Sequence, residues 1–274
     1  MLGKIISRPK SVPRLRRVLP SPAANRPLAI TDDPRNDISP QIISTLQQDK
    51  FLLFGQAIMP IGTARKERPF LEIFVRYSEE DEMSLPPGTF FPILEECHML
   101  PLLDRWVVNR LARWVRGSLR VWPKWEVPRC NVNLSEETLD DAGFGEYVRQ
   151  YVGNSYLSKG ALGFELSWEV ALRRASAYRR LMVDLRPHGC TFTLSGIDGS
   201  IPSLTALHAL SPNFIKLNSV SLDTAKLVEI QRRCRVLGIK TIAEYVESKE
   251  VIEKMRAAKV DFVQGFQVAP VKAL

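Results

Sequence analysis

The sequence predicts an α/β fold: a single (β/α)8 TIM-like barrel whose first strand runs antiparallel to the rest. Three observations point there. From about residue 40 onward, short β-rich runs alternate with amphipathic stretches, and eight such runs occur. The first two runs are separated by only the eleven residues Met59 to Pro69, which include Pro60, Gly62 and Pro69. That is too short for a helical crossover, so these two strands should be antiparallel neighbours. Finally, the apolar runs carry polar residues at or near their ends, where barrel enzymes gather a site.

The runs, in order, are Phe51–Ile58, Phe70–Tyr77, Arg129–Leu134, Leu162–Leu166, Cys190–Leu194, Asn213–Leu217, Lys240–Glu244 and Asp261–Gln264. Each is rich in β-branched, aromatic or leucine side chains and is bounded by turn-forming residues. Between them, Leu103, Trp106, Val107, Leu111, Trp114 and Val115 recur at helical spacing, as do Val170, Leu172, Ala175, Leu181 and Leu185. Ser135 is placed to cap a helix opening with Glu136 and Glu137, while Gly189 and Gly238 mark helix ends. On the first of these helices Arg105, Arg113, Arg116 and Arg120 share a face, expected to be solvated. Gly196 and Gly199 resemble a phosphate cradle only weakly, because a third glycine is missing.

Composition sets the outer bounds. The 274 residues are 45% hydrophobic and 25% charged, the balance of a folded globular chain. No apolar run approaches the roughly 20 residues of a membrane helix. The net charge of +8 is misleading, because residues 1–30 alone hold seven basic side chains and no acidic one. The remainder is close to neutral, which excludes a basic nucleic-acid face on the body. With Pro9, Pro13, Pro20, Pro22 and Pro27, residues 1–37 are expected to be a basic Pro/Arg-rich linker or tail, and 38–274 the barrel domain. Cys97, Cys130, Cys190 and Cys234 fall in no zinc or disulfide spacing, so a reducing cytoplasm is expected.

The polar residues of the strands are Gln56, Glu72, Arg76, Asn133, Glu165, Lys216, Glu244 and Gln264. A charged group in a buried strand is costly unless it is paired or placed in a site. Glu72, Phe74 and Arg76 alternate onto one face, which is expected to put a carboxylate and a guanidinium in the same mouth.

At these positions the chain resembles the EAL domain, the phosphodiesterase family that cuts cyclic di-GMP. The resemblance runs from about Ile38 to Pro270. Gly55-Gln56-Ala57-Ile58 is similar to the opening segment, and Leu71-Glu72-Ile73-Phe74-Val75-Arg76 stands where the naming motif and its following arginine sit. Pro86-Pro87-Gly88-Thr89-Phe90-Phe91-Pro92 and Asp104-Arg105-Trp106-Val107 look like later family segments. Asn131-Val132-Asn133-Leu134-Ser135 matches the Asn-Leu-Ser motif, and Phe214-Ile215-Lys216, Ala243-Glu244-Tyr245-Val246-Glu247 and Gln264-Gly265 follow in order. The resemblance implies two divalent ions, Mg²⁺ or Mn²⁺, activating a water for attack on phosphorus. It makes Glu72, Asn133, Glu165 and Glu244 family metal-ligand positions and Lys216 the support of that water. Gln56 and Arg76 become nucleotide-holding positions, with Gln264 on the same rim.

The departures point the other way. Ser195 and Gly196 stand in place of the family's paired aspartates, Trp168 in place of a second glutamate, Asn218 in place of an aspartate, and Tyr245 in place of a glycine. Asp198 restores an aspartate only through a register shift. The expectation is therefore a catalytically inactive EAL-like domain, a sensor or protein-interaction module with no metal cofactor. Cyclic di-GMP binding is expected to be weak or absent, a protein partner is expected, and a homodimer is compatible. An active phosphodiesterase yielding linear pGpG with Mg²⁺ or Mn²⁺ is the enzyme alternative. A protein-binding domain with Trp168 and Tyr245 filling the old cavity is the third.

Overall fold

The computed structural model describes residues 51–62, 64, 67–68, 70–78, 84–85, 87–118, 128–152, 157 and 159–274. The basic tail, the start of the expected domain at 38 and Arg120 lie outside the described residues. In chain order the elements are β1 (Phe51–Pro60), β2 (Phe70–Ser78), β3 (Ser84–Leu85), α1 (Pro87–Glu96), α2 (Leu100–Ser118) and β4 (Arg129–Asn133). Next come α3 (Phe144–Val152), β5 (Leu162–Ser167), α4 (Trp168–Arg173), α5 (Ala175–Leu185), β6 (Thr191–Ile197), α6 (Ile201–Leu210) and β7 (Phe214–Asn218). The chain ends with α7 (Thr224–Leu237), β8 (Lys240–Glu244), α8 (Lys249–Ala257), β9 (Phe262–Val263) and β10 (Lys272–Ala273).

β1 pairs antiparallel with β2 on one side and β9 on the other, and β2, β4, β5, β6, β7, β8 and β9 are parallel neighbours in that order. Eight strands thus close a barrel, with the reversed first strand that the short first connection implies. β3 and β10, of two residues each, extend the sheet beside β2 and β1. Neither has a periodicity that a sequence pattern could register.

The bottom of the barrel is sealed by apolar rings. Phe70, Phe214 and Phe262 meet pairwise with centroids 5.2–5.9 Å apart, and Ile58 and Ile242 join their cluster. Arg129 lies over Phe70 and Phe214 at 5.6 and 5.1 Å and donates to the Gly160 carbonyl, so its charge closes this plug. The opposite end is left to polar side chains.

Three local expectations are corrected. Ser135 does not open a long helix, because its hydroxyl donates to Asp104 at 2.8 Å, and only a 3-10 turn follows at Glu137–Leu139. The stretch from Val170 to Leu185 divides at Arg174 into α4 and α5, leaving Leu172 40% exposed. β6 runs three residues past Leu194 through a register shift, with Gly196 at φ +78°. The αL caps at Gly189 and Gly238 are present. On α2, Arg105 is held by Asp141 at 2.6 Å and lies 4.8 Å from the Tyr147 ring, so it leaves the solvated face.

Candidate functional site

The parallel strands end at one rim, and the polar residues of six of them converge just below it. Lys216, on β7, is 1% exposed, and its ammonium is the hub. It lies 2.6 Å from Glu72, 3.0 Å from Glu165 and 3.3 Å from Glu244, contributed by β2, β5 and β8. The remaining oxygens are tied to amides. Asn133 donates to Glu72 at 3.1 Å and Asn131 to Glu165 at 2.6 Å. Gln264 donates to Glu72 at 2.6 Å and to Gln56 at 3.0 Å, while Gln56 donates to the Ala269 carbonyl.

Burial and pairing set the protonation states. Burial pushes Glu72 upward, but the Lys216 charge and three hydrogen bonds hold it below the ordinary range. Glu165 is less compensated, and burial raises it to about 8. Glu244 also moves upward, from burial first and the neighbouring carboxylates second. Burial disfavours the charge on Lys216, yet three glutamates outweigh it and hold the ammonium protonated.

Above this cluster lies a cavity of about 590 Å³ lined by Glu72, Phe74, Asn133, Glu165, Ser195, Gly196, Asp198, Asn218, Glu244 and Tyr245, among others. A larger groove of about 730 Å³ runs outside the barrel between α3 and α5. Its acids are already paired, Asp184 with Arg149 and Asp141 with Arg105, so the mouth is the candidate site.

The structure gathers Gln56, Glu72, Asn133, Glu165, Lys216, Glu244 and Gln264 but not Arg76. The Arg76 guanidinium lies about 6 Å from the Phe54 and Phe74 rings and donates to the Val75 carbonyl. It lines a neighbouring cleft of about 380 Å³ beyond Phe74 instead of the mouth. The expectation of one shared mouth is thereby corrected: aromatic stacking captures the guanidinium before it can turn inward. Trp168 is also placed differently from the cavity-filling expectation. Its indole lies behind Gly196, 3.5 Å from where a Cβ would stand, and is not among the cavity-lining residues. Tyr245 does line the cavity, in a left-handed conformation at φ +59°.

The altered positions have other roles. Ser195 donates to the Leu166 carbonyl. Asp198 accepts from the Ser200 amide at 2.9 Å, and Asn218 accepts from the amides of Val220 and Ser221, so both fix turns. These residues do not fit a two-ion cage. No carboxylate stands where Ser195 and Gly196 are, and an ammonium holds the three glutamates together. Among the described residues no group of three or more His, Cys, Asp or Glu side chains is arranged to hold a metal.

Sequence reasoning missed Asn131 and Thr193, which extend the buried network to Glu165 by bonds of 2.6 and 3.2 Å. The signal was present, since Asn131 alternates with Asn133 onto the same strand face. It also missed Asp104, whose buried carboxylate accepts from Ser135 and Thr138.

The comparisons with known proteins agree with this architecture. The EAL domain of Xanthomonas citri FimX, solved with c-diGMP, superposes with a TM-score of 0.78 at 24% identity, covering 88% of this chain and 95% of that one. The Pseudomonas aeruginosa FimX EAL domain bound to c-di-GMP gives 0.77 at 20% identity, with 86% and 96% covered. Among curated proteins, the cyclic di-GMP phosphodiesterase PdeB of Shewanella oneidensis is 24% identical over 236 residues, which is 83% of this chain and 27% of that protein. The chain thus spans about a quarter of that relative's length. The sequence profile of the EAL domain matches residues 38–271, nearly the whole chain after its basic tail, and the chain belongs to the EAL domain family.

Proposed function

We propose that this chain is a catalytically inactive EAL domain that serves bacterial cyclic di-GMP signalling as a sensor or protein-interaction module. The observation that carries the reading is the Lys216 ammonium within 3.3 Å of all three mouth glutamates. A two-metal mechanism needs those oxygens for ions about 3.5–4 Å apart, with a bridging carboxylate between them. Here the bridge is absent at Ser195 and Gly196, and the oxygens are neutralised by lysine. Losing one such electrostatic element typically costs about 10²–10³ in rate, and several are missing together.

Within that reading the mouth suits a protein partner better than a dinucleotide. Glu72, Glu244 and Glu247 outnumber the single ammonium, and phosphate would be repelled. Arg76, the natural phosphate fork, lies in the next cleft. Weak binding of cyclic di-GMP, a homodimer and a cytoplasmic location are compatible with the proposal. The second reading, a metal-dependent phosphodiesterase, draws support from relatives that bear that name. Calorimetry with cyclic di-GMP, with and without Mg²⁺ or Mn²⁺ and followed by product analysis, separates the two. The expected result is no linear product and at most weak, metal-independent heat. Turnover abolished by Glu72→Ala would overturn the proposal.

A further inference from the structure

Beside the main cavity the mouth has a second compartment of about 190 Å³. Its walls include Phe74, Tyr245 and Phe266, the last two 57% and 71% exposed. Its polar lining is made of acceptors. Gln264 is only 4% exposed; its amide nitrogen serves Gln56 and Glu72, and its buried carbonyl oxygen has no donor among the described residues. Glu247, exposed at the edge, forms no ion pair among the described residues.

A buried acceptor without a donor lowers stability and marks a place for one. The recess is smaller than the roughly 300–1,000 Å³ of pockets that enclose whole small molecules. Its size, its aromatic walls and its surplus of acceptors suit one flat cationic side chain. Arginine fits best, because its fork donates in a plane and its face stacks on rings.

The chain supplies such a side chain. Residues 1–30 carry seven basic side chains, with Arg14, Arg16 and Arg17 closest together, and no acidic one. The point from which this segment reaches the barrel is fixed by register. Phe51 pairs with Tyr77 at the C-terminal end of β2, so β1 begins at the rim where the parallel strands end. Everything before Phe51 is therefore delivered to the mouth side. Arg17 precedes Phe51 by 34 residues, and a flexible chain of that length spans roughly 30–35 Å, enough to reach across the mouth.

We propose that the Arg14–Arg17 run of this chain docks an arginine into the recess formed by Phe74, Tyr245, Phe266, Gln264 and Glu247 of its own barrel. The contact deepens the protein-interaction reading above and rests on it. It makes the mouth a site that an external basic segment must win from the tail.

Distances between nitroxides on Ser11→Cys and Val220→Cys, in a Cys97→Ser background of the full chain, test the proposal. Val220 is 75% exposed in the loop after β7, and Cys130, Cys190 and Cys234 are buried from the label. The expected result is a narrow population well below the roughly 35 Å of an undocked chain. It should be lost in Glu247→Lys, lost in Arg14→Glu/Arg16→Glu/Arg17→Glu, and restored when the two are combined. A broad distribution in every sample would overturn the proposal, as would a short population indifferent to Glu247→Lys. A short population that vanishes when spin-labelled protein is diluted with unlabelled protein would assign the contact to a second copy and overturn it equally. Turnover of cyclic di-GMP would instead defeat the inactive-domain reading, so the two failures are separable.

Discussion

Replacing Lys216 with methionine removes the one cation from a cluster of three buried carboxylates while keeping the length of the side chain. The ammonium sits 2.6, 3.0 and 3.3 Å from Glu72, Glu165 and Glu244. At an effective dielectric of 20, the shortest contact alone has a gross attraction of ~6 kcal/mol. Desolvation of the lysine and repulsion among the carboxylates offset much of this. Removing one member of a buried pair leaves a net loss of about 3–5 kcal/mol. For a domain near this size, each kcal/mol moves the melting temperature by roughly 2–4 °C, so a drop on the order of 10 °C is expected. The decisive part is metal. With the ammonium gone, Glu72, Glu165, Glu244 and Asn133 become an oxygen site for one divalent ion. Millimolar Mg²⁺ or Mn²⁺ should then restore stability to Lys216→Met, by ~2.7 kcal/mol if the ion is at a hundred times its Kd, and leave the wild type unmoved. Thermal melts followed by circular dichroism, with and without metal, read both effects. A variant as stable as the wild type, or equal stabilisation of both proteins by metal, would refute the argument.

Tyr245 sits at φ +59° with its ring 57% exposed, so Tyr245→Gly should relieve about 1–2 kcal/mol of backbone strain. Glycine's greater unfolded entropy of about 0.5–1 kcal/mol offsets part of that, and urea denaturation should show a small net gain; a loss would mean that the ring's contacts dominate. Gly265 lies at φ +155°, and a Cβ there would overlap the Val246 backbone. Gly265→Ala should therefore cost more than ~2 kcal/mol in the same assay, and a neutral result would show that the loop gives way easily. Asp104 is held at about 6 by burial, against its ordinary 3.8, so the folded state binds its proton more tightly than the unfolded state. The resulting cost is absent below pH ~4, grows as pH rises through 6, and reaches about 3 kcal/mol above it. Asp104→Asn, compared with the wild type by urea denaturation from pH 4 to 7, should flatten that dependence; parallel profiles would contradict it.

Much of this molecule is legible in its sequence because barrels write themselves one strand at a time. The eight apolar runs and the eleven-residue first connection imply both the closure and the reversed strand. Polar residues at strand ends identify six of the strands that build the mouth. What the sequence does not carry is how neighbouring side chains compete. Arg76 alternates correctly with Glu72, yet the rings of Phe54 and Phe74 hold it in the adjoining cleft. Ser135 has the right type and position to open a helix, but Asp104, 31 residues earlier, takes its hydroxyl. The acidic character of the mouth is hidden for a similar reason, because the net charge of +8 is supplied by the tail.

The buried cluster also bears on what its retention means. Lys216 is 1% exposed, and Glu72 and Glu165 are 6% and 4% exposed, so each can be removed only by stranding its partners in a medium that penalises lone charge. Glu72→Ala would leave the ammonium short of its nearest acceptor and free the amides of Asn133 and Gln264. Presence of these residues therefore follows from stability alone and carries little information about hydrolysis. Ser195 and Gly196 lie differently, at a bulged strand end open to the cavity, where a carboxylate can be lost without leaving a buried charge behind. A site of this design would lose its rim before its floor. The floor, once cross-linked by lysine, would keep the appearance of an active site for as long as the barrel needs it to fold.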